Sequence, residues 1–66
     1  MSAMGQQIKD RRRELSLGQD EVAELAGVSE SFVRFVEHDK PTLRLDKVRA
    51  VLDVLGLELI IRAKTT

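Results

Sequence analysis

The chain has 66 residues, 33% of them charged, and its eleven lysines and arginines balance eleven aspartates and glutamates. This length allows one domain, residues 1–66, with a small core, so we expect oligomerisation to add stability. The absence of cysteine excludes disulfides and cysteine-ligated zinc, and the single histidine, His38, cannot form a metal site alone. No long apolar or secretory segment is present, which predicts a soluble, cytoplasmic protein with no membrane contact. No cofactor is expected.

The zero net charge counts against nucleic-acid binding in its simplest form, because such domains are usually basic. Phosphate contacts are local, however, since charges are screened beyond roughly 10 Å at moderate salt. The distribution of charge therefore matters more than its sum, and neutrality predicts modest non-specific affinity and a dependence on dimerisation. The basic residues form two clusters along the sequence: Lys9, Arg11, Arg12 and Arg13, then Lys40, Arg44, Lys47 and Arg49.

The amino-terminal segment predicts a first helix that begins at residue 2 or 3 and ends near Glu14. Met4, Ile8 and Leu15 are spaced to share one face of this helix. Residues 16–18 then form a connection to the next element.

Residues 19–37 predict two short helices joined by a tight turn, which is a helix-turn-helix pattern. Gly27 can adopt the left-handed conformation that ends a helix, and Ser29 can cap the start of the next. Ala23 allows the two helices to approach closely. The apolar residues that recur at helical spacing on either side of the turn are Val22, Leu25, Ala26, Val33 and Val36.

A loop at residues 38–42 and a further helix follow. The helix should end before Lys40, because a residue that precedes proline disfavours helical geometry. The next helix is predicted from Leu45 or Asp46 to Leu55, with Gly56 as its stop. Its apolar face, which we interpret mainly as core, consists of Leu45, Val48, Leu52 and Leu55, broadened by Val51 and Val54.

The carboxyl-terminal segment changes to a period of two. Apolar residues alternate along residues 57–62 and β-branched residues appear, which predicts a strand. A lone strand has no partner in a helical domain, so we expect it to pair with the same strand of a second copy across a twofold axis. A last helical turn packed on the core is the alternative. The predicted dimer contacts are Leu57, Leu59, Ile60 and Ile61.

The residues from Leu17 to Glu37 read L-G-Q-x-x-V-A-x-L-A-G-V-S-x-x-x-V-x-x-V-E. This pattern resembles the lambda-repressor-like helix-turn-helix family (Cro and XRE proteins). The continuation KPTLRLDKVRAVLDVLGLELII is similar to the branch of HipB-type antitoxins. The resemblance implies an all-α fold: a compact four- to five-helix DNA-binding domain whose short carboxyl-terminal β-strand pairs between subunits.

The resemblance also implies roles for individual residues. Arg12 would pair with Glu37 and tie the first helix to the end of the recognition helix. Gln19 would bind phosphate and brace that helix. Gly18 departs from the family pattern, which has a side chain at this position that caps the helix and touches phosphate. A HipA-like kinase toxin is the partner that the HipB-type resemblance implies.

A recognition helix in the major groove presents its outward residues to base edges. Arg34 is the best candidate for a guanine or phosphate contact, although it could be a solvated surface arginine. Ser31 can donate or accept, and Glu30 is most simply a favourable charge in the first helical turn. Phe35 could touch a thymine methyl or pack against the following loop, and Phe32 should close the edge of the core.

Residues at the helix starts and in the following loop would bind the DNA backbone, which sets register and carries no sequence information. The complete predicted DNA-binding set is Gln19, Ser29, Ser31, Arg34, Phe35, Lys40, Thr42 and Arg44.

The leading functional hypothesis is a dimeric, sequence-specific repressor of double-stranded DNA that reads a palindromic operator, in the manner of a HipB-type antitoxin. A protein-interaction module with the same fold and little DNA affinity is the alternative from another class. A restriction–modification controller and a phage-type repressor also fit. An enzyme is not expected, because the sequence has no nucleophile–base pair, metal cluster or phosphate-binding glycine loop.

Overall fold

The computed structural model describes residues 4–40 and 42–63. This part of the chain contains four α-helices: α1 (Met4–Glu14), α2 (Gln19–Ala26), α3 (Glu30–Glu37) and α4 (Leu45–Val54). The first residues of the predicted first helix lie outside the described residues. The other helix boundaries agree with the sequence prediction to within one residue, and within the described ranges the fold is all-helical.

The helices pack around one small core to which all four contribute. α2 packs against both α3 and α4, and α1 packs against α3. Phe32 is half-buried at the edge of this core, with the Lys47 ammonium 6.0 Å from the centre of its ring. Burial of these apolar side chains is the main stabilising term available to so short a chain. The buried core residues are Ile8, Val22, Ala23, Val33, Val36, Val48, Val51, Leu52 and Leu55.

Each of the four helices ends in the same way, with a residue in the left-handed conformation followed by a backbone hydrogen bond to the carbonyl five residues earlier. This arrangement is a Schellman motif, which satisfies carbonyls that the helix end leaves unpaired. The closing hydrogen bonds measure 2.9–3.1 Å. The left-handed residues are Ser16 (φ 58°), Gly27 (φ 72°), Asp39 (φ 54°) and Gly56 (φ 69°).

The start of α1 lies directly against the end of α3. A side chain at Gly5 would collide with the carbonyl oxygen of Glu37, so this approach requires a glycine. The Gly5 N–H also donates to Oδ1 of Asp39 at 2.9 Å. Asp39 therefore ends α3 with its backbone and satisfies one of the open N–H groups of α1 with its carboxylate.

Three leucines that the sequence placed on apolar faces are exposed. Leu15 lies just beyond the end of α1 and is 40% exposed, and Leu25 is 66% exposed. Leu25 lies off the buried face of α2, which Val22 and Ala23 form. Leu45 is the first residue of α4 and is 59% exposed. In each case helical spacing identified an apolar residue but not whether another helix covers it.

The carboxyl-terminal segment, residues 57–63, forms neither helix nor strand within the chain. The alternative of a last helical turn is therefore wrong for these described residues. Leu57 is half-buried against the core, and its N–H donates to the Leu52 carbonyl at 2.9 Å. Beyond Leu57, the described part of the segment makes no backbone hydrogen bond.

Candidate nucleic-acid interface

The turn between α2 and α3 has the geometry that its sequence predicts. Gly27 is left-handed, and the Val28 N–H reaches back to the Ala23 carbonyl at 3.0 Å. The Ser29 hydroxyl accepts a hydrogen bond from the Phe32 N–H at 3.1 Å and so caps α3. The turn therefore fixes the direction of α3 relative to α2 through backbone and cap hydrogen bonds together.

α3 has a buried face and an open face. Val33 and Val36 are fully buried and hold the helix on the core. The other face carries a carboxylate, a hydroxyl, a guanidinium and an aromatic ring. The exposed residues on it are Glu30, Ser31, Arg34 and Phe35. A helix held by one apolar face and open along the other can enter a groove without disturbing the core.

Arg34 is not a freely solvated arginine in this structure. Its Nη2 donates to the Ser31 hydroxyl at 3.1 Å, and its Nη1 lies 3.7 Å from a carboxylate oxygen of Glu30. The side chains of the ion pair are about half exposed, and such pairs contribute little to stability. Arg34 is therefore held along the open face of α3 by contacts weak enough to exchange for a phosphate or a base.

Phe35 lies beside the loop that follows α3. Its side chain is exposed enough to meet solvent (42%), and the Lys40 ammonium lies 4.1 Å from the centre of its ring. This distance is well inside the range of a cation–π interaction. Phe35 therefore contacts the following loop through Lys40, and a contact with a thymine methyl stays a prediction.

A buried ion pair ties α1 to the end of α3. Arg12 donates from Nε and Nη2 to the two carboxylate oxygens of Glu37, at 2.6 and 3.2 Å, and from Nη1 to the Leu17 carbonyl at 2.9 Å. Gln19 adds a hydrogen bond from Nε2 to Glu37 Oε1 at 3.1 Å. The first residue of α2 and the last of α3 are thus linked through one carboxylate, which braces the helix pair.

The surroundings of Glu37 determine its ionisation. Burial alone would raise the pKa of this carboxyl group, but hydrogen bonds from Arg12 and Gln19 and the positive charges of Arg12 and Lys9 outweigh burial, and the net effect lowers the pKa. The hydrogen bond to Glu37 likewise raises the pKa of Arg12, against the effect of its own burial. Both groups are therefore charged at neutral pH.

The remaining candidate backbone contacts lie at the helix starts and in the loop. Gln19 begins α2, where the Gly18 N–H donates to the Glu21 carboxylate at 2.7 Å. Thr42 is exposed. Arg44 precedes α4 and makes a two-point contact with Asp46, from Nη2 at 2.7 Å and from Nε at 3.2 Å. This contact lowers the pKa of Asp46, mainly through the hydrogen bond from Arg44.

Two of the predicted dimer residues, Ile60 and Ile61, are the most exposed large apolar side chains of the described chain. Ile61 is 93% exposed, Ile60 74% and Leu59 44%, whereas Leu57 is half-buried. A groove of about 360 Å³ separates this segment from α4. Apolar and charged side chains line the groove, namely Leu45, Arg49, Leu52, Asp53, Leu57, Glu58, Leu59 and Ile61.

Two contacts that support this architecture were missed from the sequence. The sequence placed Asp39 only in a loop, but its carboxylate accepts the Gly5 N–H. The sequence placed Arg11 only in a basic cluster, but its Nε donates to the Leu55 carbonyl at the end of α4, at 2.9 Å. Both contacts span more than thirty residues of sequence, and no local pattern could have indicated them.

The site thus consists of α2, the turn and α3, with α3 braced through Glu37 and open along one face. Comparison with known proteins assigns the class of protein. A family model described as a helix-turn-helix domain matches residues 3–63, so the chain belongs to this family. Among curated proteins, an uncharacterized HTH-type transcriptional regulator, y4mF, from Sinorhizobium fredii (strain NBRC 101917 / NGR234) is 40% identical over 60 residues. The match covers 91% of this chain and 79% of the relative.

Two further features bear on other kinds of site. Within residues 4–40 and 42–63, no three side chains of the metal-ligating types stand close enough together to hold a metal ion. In the same ranges, every helix is too short or too polar to span a membrane.

Proposed function

We propose that the protein is a transcriptional regulator that binds double-stranded DNA with α3 in the major groove. The observation that carries the proposal is the division of α3 into a fully buried face and an open face that presents Ser31 and Arg34. Membership of the helix-turn-helix family and the relative named as a transcriptional regulator support the same function. The regulator acts as a repressor and not as an enzyme, without a cofactor, and works in the cytoplasm.

Within this proposal, Arg34 and Ser31 read base edges, because they lie side by side on the open face and are already in contact with one another. A bidentate contact between arginine and guanine is the commonest specific contact in the major groove. Glu30 opposes phosphate binding through its charge and restrains Arg34 in the free protein. The residues proposed to hold the DNA backbone are Gln19, Ser29, Lys40, Thr42 and Arg44.

Charge balance limits how tightly one copy can bind. Arg34 and Arg44 each have a carboxylate partner in the free protein, Glu30 and Asp46 respectively, and the net charge of the chain is zero. DNA must displace these carboxylates, so each arginine–phosphate contact contributes less net affinity than a contact from an unpaired arginine would. Two linked copies would bind far more tightly than one, because the second half-site is engaged at a high effective concentration.

We further propose a dimer formed through residues 57–62. These residues carry exposed apolar side chains, and the backbone beyond Leu57 has no hydrogen-bond partner within the described chain. Pairing with the same segment of a second copy would satisfy this backbone and cover Leu59, Ile60 and Ile61. A twofold dimer matches a palindromic operator with half-sites about one helical turn apart.

The carboxyl-terminal sequence supports a more specific role. Because residues 40–61 resemble the HipB-type branch, the protein would repress its own operon as an antitoxin, with a HipA-like kinase toxin as its partner. Detection of a kinase-like reading frame next to its gene, and of a stable complex between the two purified proteins, would test this role. A stable complex would support it, and the absence of both would contradict it.

The test of DNA recognition is a comparison of arginine and lysine variants on selected operator sites. Arg34→Ala should cost about 1–3 kcal/mol on the best site and relax the selected-sequence logo at one position. Lys40→Ala and Arg44→Ala should weaken binding to all sequences alike and reduce the slope of log affinity against log salt by about one each. Arg13→Ala, which removes an exposed arginine from α1, is the matched control and should change neither quantity.

An interaction module of the same fold is the second candidate, and the ion pairs of Arg34 and Arg44 favour it because both cations already have partners. Polarisation binding at low salt separates the two functions. A wild-type protein that selects no sequence from a random duplex pool, even at about 50 mM salt, would contradict the regulator and favour the interaction module.

A further inference from the structure

The end of α3 brings Phe35 and Lys40 together through the backbone. The Asp39 N–H donates to the Val36 carbonyl and the Lys40 N–H to the Phe35 carbonyl, at 3.1 and 3.0 Å. These two hydrogen bonds form a Schellman motif, in which the residue after the left-handed position bonds to a carbonyl five residues earlier. The side chains of these two residues, here Lys40 and Phe35, commonly contact each other. At the end of α4 the same positions are filled by Leu52 and Leu57, which line one groove.

At the end of α3 the usual apolar contact is replaced by a lysine over an aromatic ring. The Lys40 ammonium stands 4.1 Å from the centre of the Phe35 ring, with Phe35 42% exposed. Lys40 also precedes a proline in the sequence, which restricts its backbone to extended conformations. The lysine is therefore restrained at its backbone by the motif and the proline, and at its charged end by the ring.

We propose that Phe35 is a positioning residue that holds the Lys40 ammonium ready for a DNA phosphate, and that it does not read a base. This inference rests on the proposed DNA-binding function. A free lysine side chain loses considerable rotational freedom when it is fixed on a ligand. The ring removes part of that freedom before DNA arrives, and a group restrained in its bound position binds more tightly for the same contact.

If Phe35 acts only by positioning Lys40, the effects of substituting the two residues on DNA affinity should be coupled. The contribution of Phe35 should pass entirely through Lys40, so it should disappear when the ammonium is absent. Loss of the ring should weaken binding about two- to fivefold, the range for a solvent-exposed cation–π pair. The loss should be the same on every DNA sequence, because phosphates carry no sequence information.

The experiment is a double-mutant cycle of Phe35→Leu and Lys40→Met, with Phe35→Tyr as the variant that keeps a ring. Lys40→Met retains an unbranched side chain and removes the ammonium group, with its charge and its hydrogen-bond donors. Affinity for the selected operator and for a scrambled duplex is measured by fluorescence polarisation between 50 and 200 mM salt, and thermal melts establish that each variant is folded. NMR of the free protein reports the ring-current shift of the Lys40 side-chain protons next to the terminal nitrogen.

The proposal expects a two- to fivefold loss for F35L on both duplexes, an unchanged sequence logo, full rescue by F35Y and no further loss when F35L is added to K40M. The Lys40 ring-current shift should be present in the wild type and F35Y and absent in F35L. An equal loss from F35L with and without Lys40, or an altered logo, would show that Phe35 contacts DNA itself and would overturn the positioning role.

The two proposals fail in different ways. F35L binding as tightly as the wild type, or a wild type without the ring-current shift, overturns the positioning role and leaves DNA recognition through Arg34 intact. A wild type that shows the ring-current shift but selects no DNA sequence overturns the proposed function and, with it, the role of Phe35 toward phosphate.

Discussion

Glu37 connects the stability of the domain to the geometry of its candidate DNA-binding surface. Its side chain is only 2% exposed, and it accepts hydrogen bonds from Arg12 and Gln19. A buried pair of this kind contributes little net stability compared with apolar packing, but the loss of one partner leaves an uncompensated charge in the interior. The pair therefore mainly holds α3 in one orientation against α1 and α2.

The lowered pKa of Glu37 has a consequence for acid stability. A carboxyl group with a lower pKa in the folded state stabilises the fold at pH values above its unfolded pKa, about 4.3. This contribution is lost as the pH falls from there through the folded-state pKa. Glu37→Gln should cost about 3 kcal/mol at neutral pH and flatten the acid limb of the stability curve. Urea melts between pH 3 and 7, chosen as roughly the range of carboxylate titration, provide the measurement.

Glu24→Gln is the matched control for this prediction, because Glu24 is an exposed glutamate on α2. Its stability curve should follow that of the wild type over the whole pH range. A Glu37→Gln curve that runs parallel to the wild-type curve below pH 5 (about the start of the acid limb) would contradict the assigned role of the ionised carboxylate.

At the scale of the helices, the four Schellman ends show how short elements are terminated without long loops. Two of the left-handed positions are glycines, and the other two are Ser16 and Asp39. The left-handed conformation is unfavourable for residues with a Cβ atom and is tolerated best by glycine. Asp39 compensates through its hydrogen bond to Gly5. Ser16 is exposed, and no side-chain hydrogen bond is found for it in the described chain.

Ser16→Gly should therefore stabilise the protein by about 0.5–1 kcal/mol, because it relieves the backbone conformation at φ 58° without removing a contact. For a domain of this size, the melting temperature should rise by about 3–6 °C. Gly27→Ala tests the same effect in the opposite direction, because it adds a Cβ atom at a left-handed position. Its φ of 72° is equally unfavourable for alanine, and that variant should melt lower than the wild type. Calorimetry of both variants decides the prediction, which fails if Ser16→Gly lowers the melting temperature.

At the scale of the whole molecule, the exposed apolar segment at residues 59–61 predicts self-association. In a monomer, a substitution at Ile61 should hardly affect stability, because this residue is 93% exposed. In the proposed dimer, Ile61→Asp places a charge in each copy of an apolar interface and should shift the protein to monomer. Sedimentation equilibrium at tens of micromolar, roughly the range in which moderate homodimers persist, provides the measurement.

Leu25→Asp is the matched control, because Leu25 is an exposed leucine on α2, away from the carboxyl-terminal segment. This variant should remain a dimer. A monomeric wild type, or an Ile61→Asp variant that still sediments as a dimer, would contradict the strand-pairing model. In either case the division of α3 into a buried and an open face would be unaffected, and the DNA-binding proposal would have to stand without a dimer formed through residues 57–62.

Much of the fold could be predicted from local sequence because its determinants are local. Gly27 and Gly56 mark helix ends, Ser29 caps α3, and Val33 and Val36 recur at helical spacing. Each of these signals depends only on residues a few positions away in the sequence, so it does not depend on how the helices pack. The same signals were misleading where burial depended on distant partners. Leu45 was interpreted as part of a core face but is exposed, because spacing cannot show whether another helix covers a residue.

The sequence by itself therefore determined four helices, their boundaries apart from the start of α1, the helix-turn-helix motif and the list of residues on the open face of α3. Only the tertiary structure decided which cations already have partners, which leucines are exposed, and that Lys40 lies over Phe35 and Asp39 caps α1. The physical reason is separation along the chain: helix formation and capping are set by neighbours within one turn, whereas ion pairs, burial and close approach depend on how the helices pack.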